Sequence, residues 1–143
     1  MEKIILLTVA ILGTLIALKF KGVFHKILSI GLTISVLLTW TDNIYIITGS
    51  FIVFTLLTIT TFTYGLTVKE LDNFEKISIT TMGIFLAVSS IFKMLHFPGA
   101  EIIKLSMIVP IIITLATFIR GRKLTKEMSF MIFWLFYSIS ELL

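Results

Sequence analysis

Long apolar runs separated by short polar clusters set the pattern of this chain. Residues 4–18, 23–40, 44–68, 77–95, 100–119 and 128–143 form six such runs, each read as a helix. A membrane span needs roughly 17–25 apolar residues. The run 44–68 meets that requirement with ease. The runs 4–18 and 128–143 are short, which suits a tilted, interfacial or flank-extended segment. The expectation is therefore an all-α polytopic transmembrane bundle of about six short helices forming a single domain over residues 1–143. Five spans with one interfacial helix is the main alternative.

The breaks carry turn chemistry. Thr41, Asp42 and Asn43 predict a tight turn, because Asp and Asn bond to their own backbone there. Trp40 and Tyr45 flank it, as amphipathic aromatics do at a water interface. Residues 69–76 (KELDNFEK) read as a solvated loop of mixed charge. Phe97, Pro98 and Gly99 predict a turn, since proline biases the residue before it away from the helical region and glycine tolerates positive φ. Residues 120–127 (RGRKLTKE) read as a basic loop. The first run is followed by Lys19, Phe20 and Lys21 without a small-x-small cleavage site, which predicts an uncleaved first helix rather than a signal peptide.

Composition strengthens the membrane reading. Apolar residues make up 57% of the 143-residue chain and charged residues 14%, and the mean hydropathy is +1.10. So small a domain cannot hide that much apolar surface inside itself. Lipid removes the difficulty. The net charge of +4 does not point to nucleic acid, because the basic residues sit in clusters between apolar runs. The chain has no cysteine, which excludes disulfides and thiolate-bound metals or clusters.

Charge also predicts an orientation. With the N-terminus outside, Lys19, Lys21, Lys26, Lys69, Lys76, Arg120, Arg122, Lys123 and Lys126 fall on the inner side. Lys3, Lys93 and Lys104 fall outside. That asymmetry is the mark of cytoplasmic loops. It places the Asp42 and Pro98 turns outside and residues 69–76 inside.

Packing candidates follow from small residues four apart, which let helix backbones approach. Gly13 with Ala17, Gly31 with Ser35 and Gly83 with Ala87 fit this spacing. Thr60, Thr63 and Thr67 share one face of the third helix, either as helix-joining hydroxyls or as the polar lining of a path. Pro110 falls inside the fifth run and predicts a bend there.

Chemistry is sparse. All eight carboxylates lie in loops or close to helix ends, where they are poorly placed to carry ions through lipid. His25 and His96 are the only histidines and lack the partners of a zinc site. No catalytic, cofactor-binding or metal-binding residues are predicted, and no cofactor. The segment densest in polar groups is 93–104, with Lys93, His96, Glu101 and Lys104. One reading makes these four a cluster that contacts a partner, a lipid headgroup or an ion. The other is dipole complementarity, with Lys93 and His96 closing one helix and Glu101 opening the next.

The run from Gly83 to Ala100 (GIFLAVSSIFKMLHFPGA) resembles the membrane hairpin of the gliding-motility GldL family, part of the type 9 secretion motor of Bacteroidetes. That family's first helix ends in Phe-Lys-x-x-His, often followed by Trp or Phe and Pro-Gly-Ala. Phe92, Lys93, His96, Phe97, Pro98, Gly99 and Ala100 match it, and the resemblance covers residues 82–120. It implies a hairpin with its turn outside and a structural or contact role for Lys93 and His96. The family has two membrane helices and a long cytoplasmic tail, unlike the pattern here. Its second helix carries a membrane-embedded glutamate tied to proton-driven rotation, and residues 110–116 (PIIITLA) have none. The motor activity is therefore not implied.

The resulting expectation is a non-enzymatic, multi-pass protein of the bacterial inner membrane, an assembly or accessory component of a membrane complex. Its partners would be the bilayer, other membrane proteins or a second copy, and not nucleic acid. A small transporter or channel is the alternative.

Overall fold

The computed structural model describes residues 2–121 and 125–143; Arg122 and Lys123, counted above in the basic loop, lie outside them. The described residues are helical throughout, joined by short turns: α1 (Glu2–Leu18), α2 (Val23–Leu38), α3 (Ile44–Thr67), α4 (Asn73–Met94), α5 (Ala100–Ser106), α6 (Ile108–Gly121) and α7 (Met128–Leu142). The segments α5 and α6 are one helix interrupted at Met107, so the six apolar runs give six helices. Pro110 explains the interruption. It has no N–H for the carbonyl of Ser106, and its ring crowds that carbonyl. The chain tightens at Met107, whose N–H donates to Lys104 O at 3.1 Å, and resumes with Ile111 N–H to Met107 O at 3.2 Å.

One boundary differs clearly from expectation. Helix α4 begins at Asn73, four residues before the apolar run, so residues 73–76 are helix and not loop. Asp72 takes the extended N-cap conformation, and its carbonyl accepts from Lys76 N–H at 2.9 Å. Glu75 lies in the first turn, where the helix dipole favours an anion. The Asp72-x-x-Glu75 spacing is itself a helix-start signal that the high polarity of the stretch obscures. The Asp42 turn is as expected, with Asn43 Oδ1 accepting from Tyr45 N–H at 3.0 Å to cap α3.

The run 128–143, short enough to lie at an interface, is the centre of the bundle. Helix α7 packs on α1, α2, α4, α5 and α6. Phe130, Phe133 and Trp134 on it are all but fully buried. The Trp134 indole N–H donates to Thr61 Oγ1 at 3.1 Å, so the largest core side chain leaves no polar atom unsatisfied. A helix of 15 residues is about 22 Å long, less than the roughly 30 Å of a hydrocarbon core. Enclosure by protein frees α7 from matching that thickness.

The outer helices meet the requirement that α7 escapes. Ile44–Thr67, Asn73–Met94 and the α5–α6 stretch Glu101–Gly121 are each long and apolar enough to cross a membrane. Ile52, Leu56 and Ile59 on α3 and Ile112 and Ile119 on α6 point outward. The fold is thus an all-α bundle of the membrane-spanning class.

Small residues set the closest approaches. A Cβ on Gly83 would lie 2.5–2.6 Å from the Phe62 backbone, and Ala87 one turn further is also buried. On the facing helix, Gly65 meets the Thr80 backbone N at 2.8 Å in the same construction. A Cβ on Gly13 would collide with the Ser129 carbonyl of α7. Gly31 is looser, facing only the Leu57 side chain at 3.3 Å. The hydroxyls of Thr60, Thr63 and Thr67 neither join helices nor line a path. They bond back to the carbonyls of Leu56, Thr60 and Thr63 at 2.7, 3.0 and 2.8 Å. The buried threonines of α3 are Thr55, Thr58 and Thr61.

Candidate functional site

Three titratable side chains from distant parts of the chain meet inside the bundle. His25 sits in the first turn of α2, Tyr64 in the last turn of α3, and Glu127 at the N-cap of α7. His25 is 3% and Glu127 6% exposed. His25 Nε2 lies 3.0 Å from Tyr64 Oη, and Tyr64 O–H donates to Glu127 Oε1 at 3.2 Å. Since the tyrosine proton is committed to the carboxylate, the histidine must supply the other one. The network therefore places a proton on His25 Nε2. Its Nδ1 is buried with no hydrogen-bond partner among the described residues. A Cβ on Gly22 would lie 2.6 Å from that Nδ1, so the glycine before α2 makes room for the ring.

Aromatic packing fixes the rings. Phe24 stacks on Tyr64 with centroids 4.4 Å apart and planes 7° from parallel. Phe130 of α7 meets the His25 ring at 5.9 Å and the Tyr64 ring at 6.0 Å. Lys126 joins the triad to solvent, 3.9 Å from Glu127 Oε1 and 3.7 Å from the exposed Glu70. Deeper in, Ser29 Oγ donates to Ser129 Oγ at 3.4 Å, and Ser78 meets Thr114 at 3.0 Å. Burial pushes the Glu127 carboxyl up, but His25, the residue's own amide and Lys126 together pull it below its usual range. The His25 contact with Glu127 is 3.7 Å, an ion-pair distance, so the hydrogen-bonded route between them runs through Tyr64.

Chemically this is a short relay able to hold or shift a proton among an imidazole, a phenol and a carboxylate. A cavity of about 20 Å³ beside it, lined by Glu75, Ser78, Thr117 and Glu127 among others, has room for about one water. The next carboxylate along α7 is Glu141, at the other end of the helix. Among the described residues no group of three or more His, Asp or Glu is placed to hold a metal ion.

The four residues of the sequence-predicted cluster have different surroundings. Lys93 is bound to Glu141 at the end of α7. His96 and Glu101 are exposed, and Lys104 is half-buried in the last turn of α5. What the segment forms is a helix stop. Phe97 N–H donates to Phe92 O at 3.0 Å and His96 N–H to Lys93 O at 3.3 Å, a Schellman pattern with His96 at the left-handed position, φ +51°. The Phe92 and Phe97 rings meet edge-on at 5.4 Å, the apolar contact that accompanies this cap. Gly99, at φ +97°, then starts α5. Within the Phe-Lys-x-x-His-Phe-Pro-Gly spacing, Phe92, His96 and Phe97 thus form the stop of α4, and Gly99 the start of α5.

The fold and site define a helical membrane bundle with a buried ionisable triad at its basic end. Comparison with protein-family models, with curated proteins and with solved structures finds no match.

Proposed function

We propose that this chain is a multi-pass protein of the bacterial inner membrane that works by contact, as an assembly or accessory component of a larger membrane complex. The hairpin joining α4 to α5, which resembles that of the GldL family, is its contact element. One observation carries this reading. His96 holds a left-handed backbone in an exposed turn, at a position where glycine would be cheaper by sterics alone. Strain at an exposed turn is a reason to look for a use of the side chain. Leu95 and Phe97 beside it are also exposed, while Lys93 behind it is bound to Glu141. The turn is therefore presented from the capped end of α4, and its partner is another membrane protein or a second copy of this chain.

The test is His96→Gly, with a photo-crosslinking residue at Phe97 in native membranes. The contact reading expects the variant to be as stable as the parent or more so, and to lose crosslinked products. Retained crosslinks with higher stability would reduce His96 to a cap. Orientation is tested separately in this cysteine-free chain: an impermeant thiol reagent on intact cells should label Asp42→Cys and spare Asp72→Cys.

The triad favours a second reading, a small transporter or channel, because ionisable groups in apolar surroundings mark ion pathways. Against it, all eight carboxylates lie in loops or near helix ends, and Thr60, Thr63 and Thr67 bond to their own helix. The contact reading expects no proton flux in liposomes carrying a pH-sensitive dye. Flux that disappears in Glu127→Gln would replace it with the transporter.

A further inference from the structure

At the end of the bundle opposite the triad, α1, α2, α3 and α7 enclose a cavity of about 210 Å³. For scale, a cavity of about 150 Å³ in another protein admits benzene. The floor is aromatic: Phe54 meets Tyr137 at 4.7 Å and Phe133 at 6.4 Å between ring centroids. Leu6 and Val36 form apolar wall. The rim holds Lys3, Thr39 and Glu141. From Glu141 down to Phe133 is eight residues of α7, a depth of about 12 Å.

Two polar features break the apolar lining. Ser50 Oγ donates to the Ser35 carbonyl at 2.6 Å, which satisfies Ser50. The Ser35 hydroxyl, in a residue only 2% exposed, has no hydrogen-bond partner among the described residues. A buried hydroxyl left unpaired costs about 1–3 kcal/mol, so it is an unusual wall to leave beside a space of this size. The rim is polar and carries cationic charge. Lys93 offsets Glu141, and Lys3 Nζ is held over the opening by a 2.9 Å bond to Thr39 O.

We propose that this cavity binds a phospholipid with an anionic headgroup, one acyl chain resting on the Phe54, Phe133 and Tyr137 rings. The headgroup sits against Lys3, and an ester carbonyl just below it accepts from Ser35 Oγ. A bilayer supplies such a molecule in excess, and Phe51, exposed at the rim, lies on the lipid-facing side of α3. The order of groups from rim to floor, cation, then hydroxyl, then aromatic, matches the order along the lipid, anion, then ester, then chain. This site lies at the opposite end from the triad and shares no lining residue with it.

The experiment uses the whole protein in nanodiscs of equal phosphatidylglycerol and phosphatidylcholine, followed by mild detergent extraction and native mass spectrometry. One phosphatidylglycerol should stay with each chain, preferred over phosphatidylcholine on the order of tenfold, the size of effect that about 1.4 kcal/mol of headgroup contact gives. Lys3→Gln, in the exposed first turn of α1, should lose the headgroup preference and still retain a lipid. Ser35→Leu fills the cavity and should release the lipid, with circular dichroism checking that the bundle has formed. Added inorganic phosphate should not displace the lipid, because the chain is what the cavity holds. Equal retention of the two lipids by the parent, or an unchanged preference in Lys3→Gln, would overturn the proposal whatever the fate of Ser35→Leu. So would lipid retention by a folded Ser35→Leu.

Discussion

At the basic end of the bundle, three helix ends converge on His25, Tyr64 and Glu127, in one hydrogen-bonded chain. At the other end, the corresponding ionic contact joins Lys93 to Glu141, and there the lysine side chain is 42% exposed. The groups differ little in kind. They differ in solvent. A pair closed off from water is strengthened by its surroundings and leaves a costly orphan when one partner is removed. A pair with one partner open to water is screened, and Lys93 can return to solvent at little cost although the Glu141 side chain is only 14% exposed. The basic end is thus the part that specifies how the helices meet. The opposite end is the part with freedom to hold a cavity and to display a turn.

Glu127→Ala should be the most damaging way to test this contrast. It removes the acceptor of Tyr64 and the partner of Lys126, and should lower unfolding stability in detergent by roughly 3 kcal/mol, the upper range for hydrogen bonds to a charged group. Tyr64→Phe keeps the Phe24 stacking but breaks both bonds of the relay, for an expected loss of about 1–2 kcal/mol by the same equilibrium measurement. Should Tyr64→Phe prove neutral, the relay would be an incidental contact and the contrast would fail.

Acid gives a subtler comparison. Glu127 is held below its ordinary value of 4.5, so its contribution is complete above that value and is lost as the pH falls through the lowered one. Stability should then fall below about pH 4.5 more steeply in the parent than in Glu127→Gln. Parallel pH curves for the two would remove the electrostatic half of the contrast. The smallest effect belongs to Glu141→Gln, expected at about 0–1 kcal/mol and measured as a shift in thermal midpoint, since the partner ammonium is well solvated. A loss there as large as that of Glu127→Ala would mean that the two ends are not different after all.

Much of the helix layout was legible because lipid exposure makes each run apolar along its length, and because Pro110 announces its own break. The start of α4 was hidden because Glu75 and Lys76 look like loop when polarity alone is read. The centrality of α7 was hidden too. A short apolar run is equally a surface helix or a core helix until its neighbours are known, and the density of Phe130, Phe133 and Trp134 gives no direction. The triad was illegible for a plainer reason: His25 and Tyr64 are 39 residues apart, and Tyr64 and Glu127 are 63. Each sits at a helix end, where a polar residue needs no explanation. The one available hint was Glu127 at the threshold of an apolar run. The segment around Lys93 and His96 attracted attention because its polar residues are close in sequence, and that closeness reflects a helix stop.

The placement of α7 has a consequence for the order in which the molecule can be made. It is translated after α1 to α6, yet Phe130 and Trp134 on it fill the space between them. Until it leaves the ribosome, Thr61 lacks its indole donor, Tyr64 lacks its carboxylate and the groove beside Gly13 stands open. The helices before it lack those core contacts until α7 packs among them. Assembly of this bundle is therefore a keystone process, in which packing of α7 completes contacts that α1 to α6 cannot make among themselves.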